Sequence, residues 1–181
     1  VSNRGYIGAY AFTFFLVLGT FTVASFIGPY LTAVNGWDEG QLSQIYFVAG
    51  LCTLAGMTVL GKLADRVPRL PLFRVLGFAS LVMALVVTNI PPGPLWVATI
   101  ALSAFMMTAA GRMVPVQALM LGVPDPKNRG AFLSVNTAVQ HASTGVAPLI
   151  AGSLVTIGDN GASGFENVGY VAAATAAVAL V

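Results

Sequence analysis

Charge is the scarcest property of this 181-residue chain. Only 8% of the residues are Asp, Glu, Lys or Arg, whereas a soluble domain usually carries about 25%. Hydrophobic residues make up 57%, so the polar side chains are too few to cover the surface of a soluble globule. The composition therefore excludes an ordinary soluble domain and predicts a polytopic membrane protein.

Cysteine and histidine each occur once, as Cys52 and His141. A single cysteine excludes a disulfide scaffold, and eight Lys and Arg residues are too few to form a nucleic-acid-binding patch. Catalysis within a membrane would need paired acids, a histidine cluster or a nucleophile with its base, and the apolar segments offer none of these. We therefore expect no enzyme activity, no metal site, no cofactor and no nucleic-acid partner.

The sequence contains long apolar runs. A spanning helix needs about 20 apolar residues, and six runs near that length are separated by polar or proline-rich breaks. The runs are too long for barrel strands and do not alternate, so we expect an all-α fold. The predicted spans are residues 6–31, 41–60, 70–88, 94–121, 130–156 and 165–181.

Basic residues are concentrated in alternate loops. The intervening loops carry Asp38, Glu39, Asp159 and Glu166 and no Lys or Arg. The positive-inside rule places the basic loops, and with them both ends of the chain, in the cytoplasm. Short loops on both faces suit a bacterial inner membrane. The residues on the basic side are Arg4, Lys62, Arg66, Arg69, Arg74, Lys127 and Arg129.

The loop after the second span, residues 61–69, resembles the cytoplasmic signature Gly-x-Leu-Ala-Asp-Arg-x-Gly-Arg-Arg of the major facilitator superfamily. Gly61, Asp65, Arg66 and Arg69 match it, while Pro68 stands where the family has glycine. Residues 26–31 and 129–136 are similar to the seventh and eleventh helices of sugar- and drug-efflux members, and residues 145–152 resemble an antiporter element in outline. The chain begins at Val1 and stops within an apolar run.

The resemblance implies the C-terminal half of a twelve-helix transporter, built from two inverted three-helix repeats and partnered by an N-terminal six-helix half. The N-terminal half is the alternative assignment. The implied function is secondary transport of a small solute by alternating access, with efflux as the expected direction and protons as a candidate coupling ion. A channel subunit or a non-transporting membrane scaffold is the alternative function.

In the family, the carboxylate that Asp65 matches lies near the positive end of a neighbouring helix, across the seam between the halves. A helix N-terminus favours an anion by about 0.3–1 kcal/mol. Arg66 and Arg69 are expected to pair with Asp65 or with lipid phosphate. The loop is therefore a candidate gate, and the alternative is a basic loop that only sets topology.

Polar residues within the predicted spans are the candidates for a substrate or proton pathway. Arg112 is the one charge at membrane depth, where it costs about 2.5–3.5 kcal/mol, and the same span carries Gln117. In the fifth span, Asn136 and Gln140 share one helical face and His141 adjoins them. These residues either line a substrate cavity or form hydrogen bonds between helices. Arg112 either extends toward the interface or has a role in a cavity or between helices.

Overall fold

The computed structural model describes residues 3–158 and 161–180. Helices dominate these residues, with one short two-stranded hairpin near the end. The helices are α1 (Asn3–Asn35), α2 (Glu39–Ala64), α3 (Arg69–Thr88), α4 (Leu95–Gly111), α5 (Met113–Met120), α6 (Arg129–Leu154) and α7 (Phe165–Leu180), with a 3-10 turn at Pro126–Asn128. The hairpin pairs β1 (Thr156–Gly158) with β2 (Gly161–Ser163).

Each of the six predicted ranges is largely helical, but the fourth is divided into α4 and α5. Pro115 explains the division, because it has no N–H to donate and its ring crowds the carbonyl of Gly111 one turn earlier. The hairpin between α6 and α7 was not predicted. Asp159, which was expected in an acidic loop, lies outside the described residues.

The turn between α1 and α2 shows why the second helix begins where it does. Gly36 adopts a positive φ of 67°, which glycine accepts without strain. Asp38 then caps α2, accepting a 2.7 Å hydrogen bond from the backbone N–H of Gln41. The side chain of Gln41 accepts in return from the backbone N–H of Asp38 at 3.1 Å, which completes a capping box.

Four segments are long and apolar enough to cross a membrane: Gly5–Asn35, Glu39–Ala64, Arg69–Thr88 and Leu95–Met120. Helix α6 has 26 residues, so its length is sufficient and its polar residues lower its hydropathy. Helix α7 has 16 described residues, fewer than a spanning helix requires. That α6 and α7 also cross the bilayer stays a prediction.

Helix α1 is the centre of the bundle and packs mainly on α6 and α7, whereas α2 packs mainly on α4. Small residues allow both approaches. A side chain at Gly19 would meet Thr175 and the carbonyl of Ala172 on α7. At Gly56 on α2, it would come within 2.6 Å of the Cγ of Met107 on α4.

The two ends of the bundle are packed differently. We call the end that carries Lys62, Arg69 and Arg129 the basic end, and the end at Asn35 the distal end. At the distal end, Asn35 accepts a 3.0 Å hydrogen bond from the N–H of Gly93. The rings of Tyr30 and Phe165 stack there with centroids 4.3 Å apart.

A smaller hydrophobic cluster occupies the basic end. Its aromatic part is the stack of Tyr10 on Phe132, with ring centroids 5.0 Å apart, which joins α1 to α6. The main hydrophobic core, which includes Ile27 and Val87, fills the distal half. The two clusters therefore fill opposite ends of the bundle.

Candidate functional site

A cavity of about 690 Å³ lies between α1, α5 and α6. It exists because α6 packs on α1, whereas α5 follows the break at Arg112 and packs mainly on α3. This volume is in the range of small-molecule sites in proteins. The cavity is lined by Thr13, Leu16, Val17, Phe21, Met113, Val116, Gln117, Met120, Leu121, Leu133, Asn136, Thr137, Gln140, His141 and Thr144.

The walls of the cavity differ in polarity. On α1 and α5 the lining is apolar apart from Thr13 and Gln117. On α6 it is polar apart from Leu133. The polar residues of α6 recur every three or four positions, so they form one continuous stripe along the helix.

The threonine hydroxyls of the polar wall bond to their own helix. Thr137 donates to the carbonyl of Leu133 at 3.0 Å, and Thr144 donates to the carbonyl of Gln140 at 3.0 Å. Because each hydroxyl has one proton, the oxygen atoms can offer only lone pairs to other partners. These two residues are therefore acceptors toward the cavity.

Asn136 is the most deeply placed polar residue of this wall, with 6% of its surface exposed. Its Oδ1 atom is buried and has no hydrogen-bond partner. An unsatisfied buried acceptor costs about 1–3 kcal/mol. The neighbouring lining residue Thr13 is also buried, and its hydroxyl makes only a weak 4.0 Å contact with the Sδ atom of Met120.

Formal charge is absent from the lining that the structure describes. The lining contains no Asp, Glu, Lys or Arg, and His141 is its one imidazole. Within residues 3–158 and 161–180, no group of three or more His, Cys, Asp or Glu residues could hold a metal ion. The arrangement can therefore bind a solute through hydrogen bonds and apolar contacts.

Comparison with known families agrees with this arrangement. Residues 10–181 match the model of the Major Facilitator Superfamily. The chain belongs to the major facilitator superfamily. It is accordingly a multi-pass membrane protein of a transporter family, whose partners are the lipid bilayer and a small-molecule substrate. The chain matches no curated protein at a significant level.

In this major facilitator, the structure brings four of the predicted pathway residues together. Gln117 on α5 and Asn136, Gln140 and His141 on α6 all line the same cavity. The stripe on α6 was visible in the sequence because its residues share one helical face. That they contact a substrate stays a prediction.

Arg112 does not reach that cavity. It is 2% exposed, and its guanidinium turns toward α1, where Nη2 donates to the carbonyl of Leu16 at 3.1 Å and to Oγ1 of Thr20 at 2.5 Å. Its Nε atom is buried without a partner. The guanidinium therefore bridges helices within the bundle and does not extend to the membrane interface.

The predicted gate residues of the transporter lie at the basic end. Gly61 is in the last turn of α2, and the exposed Asp65 is its C-cap. The expected pairs of Asp65 with Arg66 and Arg69 are absent among the described side chains. Arg69 instead donates from Nη1 to the carbonyl of Ala118 on α5 at 3.3 Å, because it begins α3, on which α5 packs.

Sequence reasoning missed the apolar half of the lining. Leu16, Val17 and Phe21 on α1 cannot be told by type from residues that face lipid or the core. An indication of the lining was available in the sequence only for α5, where Pro115 predicts a kink in the helix and therefore a change in its direction.

Proposed function

We propose that the cavity between α1, α5 and α6 is this chain's share of the substrate site of a secondary transporter that works by alternating access. The observation that carries the proposal is the continuous polar wall of α6 facing an open cavity within an apolar bundle. Such side chains need partners at membrane depth, since an unsatisfied polar group in hydrocarbon costs several kcal/mol. A substrate or water in the cavity would provide them.

The wider assignment rests on the sequence resemblance. The chain is proposed to be helices seven to twelve of the transporter, two inverted three-helix repeats that rock against an N-terminal half. The direction is proposed to be efflux of a sugar-like or drug-like solute. Protons are the proposed coupling ion, with His141 as a carrier because histidine changes charge between about pH 5 and 8.

The loop after α2 is proposed to bias the equilibrium between the transporter's conformations. A carboxylate at a helix C-terminus, where Asp65 lies, meets the negative end of the helix dipole, so it gains by facing the positive end of a helix in the other half. Asp65→Asn in the full-length protein is expected to slow transport with little loss of membrane insertion. Unchanged transport rates would leave the loop only a topological role.

Gln140→Ala tests the cavity itself. The full-length protein is placed in proteoliposomes, and a panel of radiolabelled sugars and dyes identifies a transported solute. Loss of one hydrogen bond to that solute is worth about 1–3 kcal/mol, which corresponds to a roughly 5- to 150-fold higher half-saturating concentration. Val135→Ala is the matched control, because Val135 is exposed on the same helix and does not line the cavity.

Two results would contradict the proposal. If Gln140→Ala lowers the melting temperature and leaves the affinity unchanged, the polar wall is a packing seam. If no solute in the panel is moved by the intact protein, transport itself is contradicted. A normal pH profile of transport in His141→Ala would remove the histidine from the coupling mechanism.

A further inference from the structure

The residues that line the cavity favour one class of cargo. We propose that the site selects an uncharged, amphipathic solute that carries hydroxyl or N–H donors along one edge and a ring or hydrocarbon face on the other. This inference rests on the proposed function, because it names the substrate class of the same cavity.

The first step concerns charge. A charged group transferred out of water needs an opposite charge or several hydrogen bonds to offset its lost hydration. The described lining offers no carboxylate to a cation and no Lys or Arg to an anion. Arg112 is the nearest candidate cation in sequence, but it does not line this cavity, and its Nη2 is already bonded to the carbonyl of Leu16 and to Oγ1 of Thr20. On this chain's wall of the site, an uncharged part of the cargo avoids the desolvation cost.

The second step concerns the direction of hydrogen bonding. The oxygens of Thr137 and Thr144 are acceptors toward the cavity, since their protons are bonded to backbone carbonyls. The buried Oδ1 of Asn136 is an acceptor without a donor. A cargo with hydroxyl or N–H groups on the side facing α6 would donate to the two threonine oxygens, which keep free lone pairs.

The third step concerns the opposite wall. Leu16, Val17 and Phe21 on α1, together with Met113 and Met120, present hydrocarbon, an aromatic ring and two thioethers. Methionine side chains adapt to irregular apolar shapes. This wall gains most from burying a ring or an alkyl face, so a solute that is polar on all sides would fit less well.

Four indole compounds of similar size distinguish the effect of charge from the effect of hydrogen-bond donors. Tryptophol is neutral with donors, 3-ethyl-1-methylindole is neutral without donors, tryptamine is a cation, and indole-3-acetate is an anion. The reporter is Gln117→Cys in a Cys52→Ser background of the full-length transporter, because Gln117 is exposed and lines the cavity. The rate of its alkylation by N-ethylmaleimide is measured with each compound at about pH 8, above the ordinary titration range of histidine.

Tryptophol is expected to protect the reporter at a concentration at least about tenfold lower than the other three compounds, a difference that one hydrogen bond or one avoided charge can produce. Val135→Cys, whose side chain is exposed outside the cavity, is the matched control and should show no protection. Asn136→Asp adds a carboxylate of the same shape and should move the preference from tryptophol to tryptamine. The four-compound comparison does not depend on that variant's folding.

Three outcomes would overturn the inference: best protection by tryptamine or indole-3-acetate, equal protection by tryptophol and 3-ethyl-1-methylindole, or protection by none of the four. If one of these occurs while Gln140→Ala still weakens transport of a panel solute, the substrate class alone is wrong. If Gln140→Ala is also without effect, the cavity is not the substrate site.

Discussion

At the scale of single residues, Arg112 combines burial with incomplete hydrogen bonding. Its two acceptors on α1 are neutral, its Nε atom has none, and no ion pair reaches it from the described part of the chain. The carbonyl of Leu16 also accepts from the hydroxyl of Thr20 at 3.1 Å, so it does not depend on the arginine. Burying a charge in this way costs stability, because its lost hydration is only partly replaced by hydrogen bonds.

Two substitutions at Arg112 are therefore expected to differ. Arg112→Met removes the buried charge at similar volume, and we expect a melting temperature close to that of the unmodified protein. Arg112→Lys keeps the charge but lacks the planar fork that reaches α1, and we expect a loss of about 1–3 kcal/mol. Thermal unfolding of the full-length protein in nanodiscs measures both.

The reverse order, with the lysine variant stable and the methionine variant unstable, would show that the positive charge itself stabilises the bundle. A methionine variant that is stable but inactive would assign Arg112 a role in transport. A methionine variant that is both stable and active would make the guanidinium dispensable.

At the scale of elements, α2 approaches α4 closely at Gly56. Its sides are mostly exposed, and α4 is its main neighbour. At Gly56 a methyl group would lie within 2.6 Å of two atoms of Met107, whereas at Gly50 it would have nothing within 4 Å. A glycine-to-alanine substitution in α2 is therefore expected to clash with α4 at Gly56 and to clash with no described residue at Gly50.

Gly56→Ala is expected to lower the melting temperature, because Met107 must leave its position and overpacking costs about 1–3 kcal/mol. Gly50→Ala is expected to be neutral or to stabilise by about 0.4–1 kcal/mol, since alanine restricts the unfolded chain more than glycine does. Equal melting temperatures for the two variants would mean that α2 is not held against α4 at Gly56.

Much of the helical architecture was predictable, because length and hydropathy dictate helices where the backbone must bond to itself. The stripe of Asn136, Gln140 and His141 was predictable from helical periodicity alone. The wall opposite the stripe was not, because it depends on which helices become neighbours. The inward turn of Arg112 was also not predictable, since a long side chain can extend along its helix in either direction.

At the scale of the whole molecule, α2 separates two chemically different ends. Asp38 and Lys62 are both exposed and lie at opposite ends of a helix of 26 residues, which is about 39 Å long. Side-chain contacts join the helices at the distal end, and the cavity lies nearer the basic end. Orientation in the membrane therefore decides which compartment is nearer the cavity.

Labelling in intact cells tests that orientation. In a Cys52→Ser background, Asp38→Cys is expected to react with a membrane-impermeant maleimide added outside, because the positive-inside rule places the distal end there. Lys62→Cys should react only after permeabilisation. Reaction of both positions from the same side would contradict a membrane-spanning α2.

The hydroxyls of Thr137 and Thr144 have a consequence for how this protein can evolve. Each is bonded to its own helix and holds no neighbouring helix in place. Replacing either one alters the chemistry of the cavity without removing a hydrogen bond between helices. Selection can therefore change the lining one residue at a time while the scaffold persists, so that new preferences arise by single substitutions in α6.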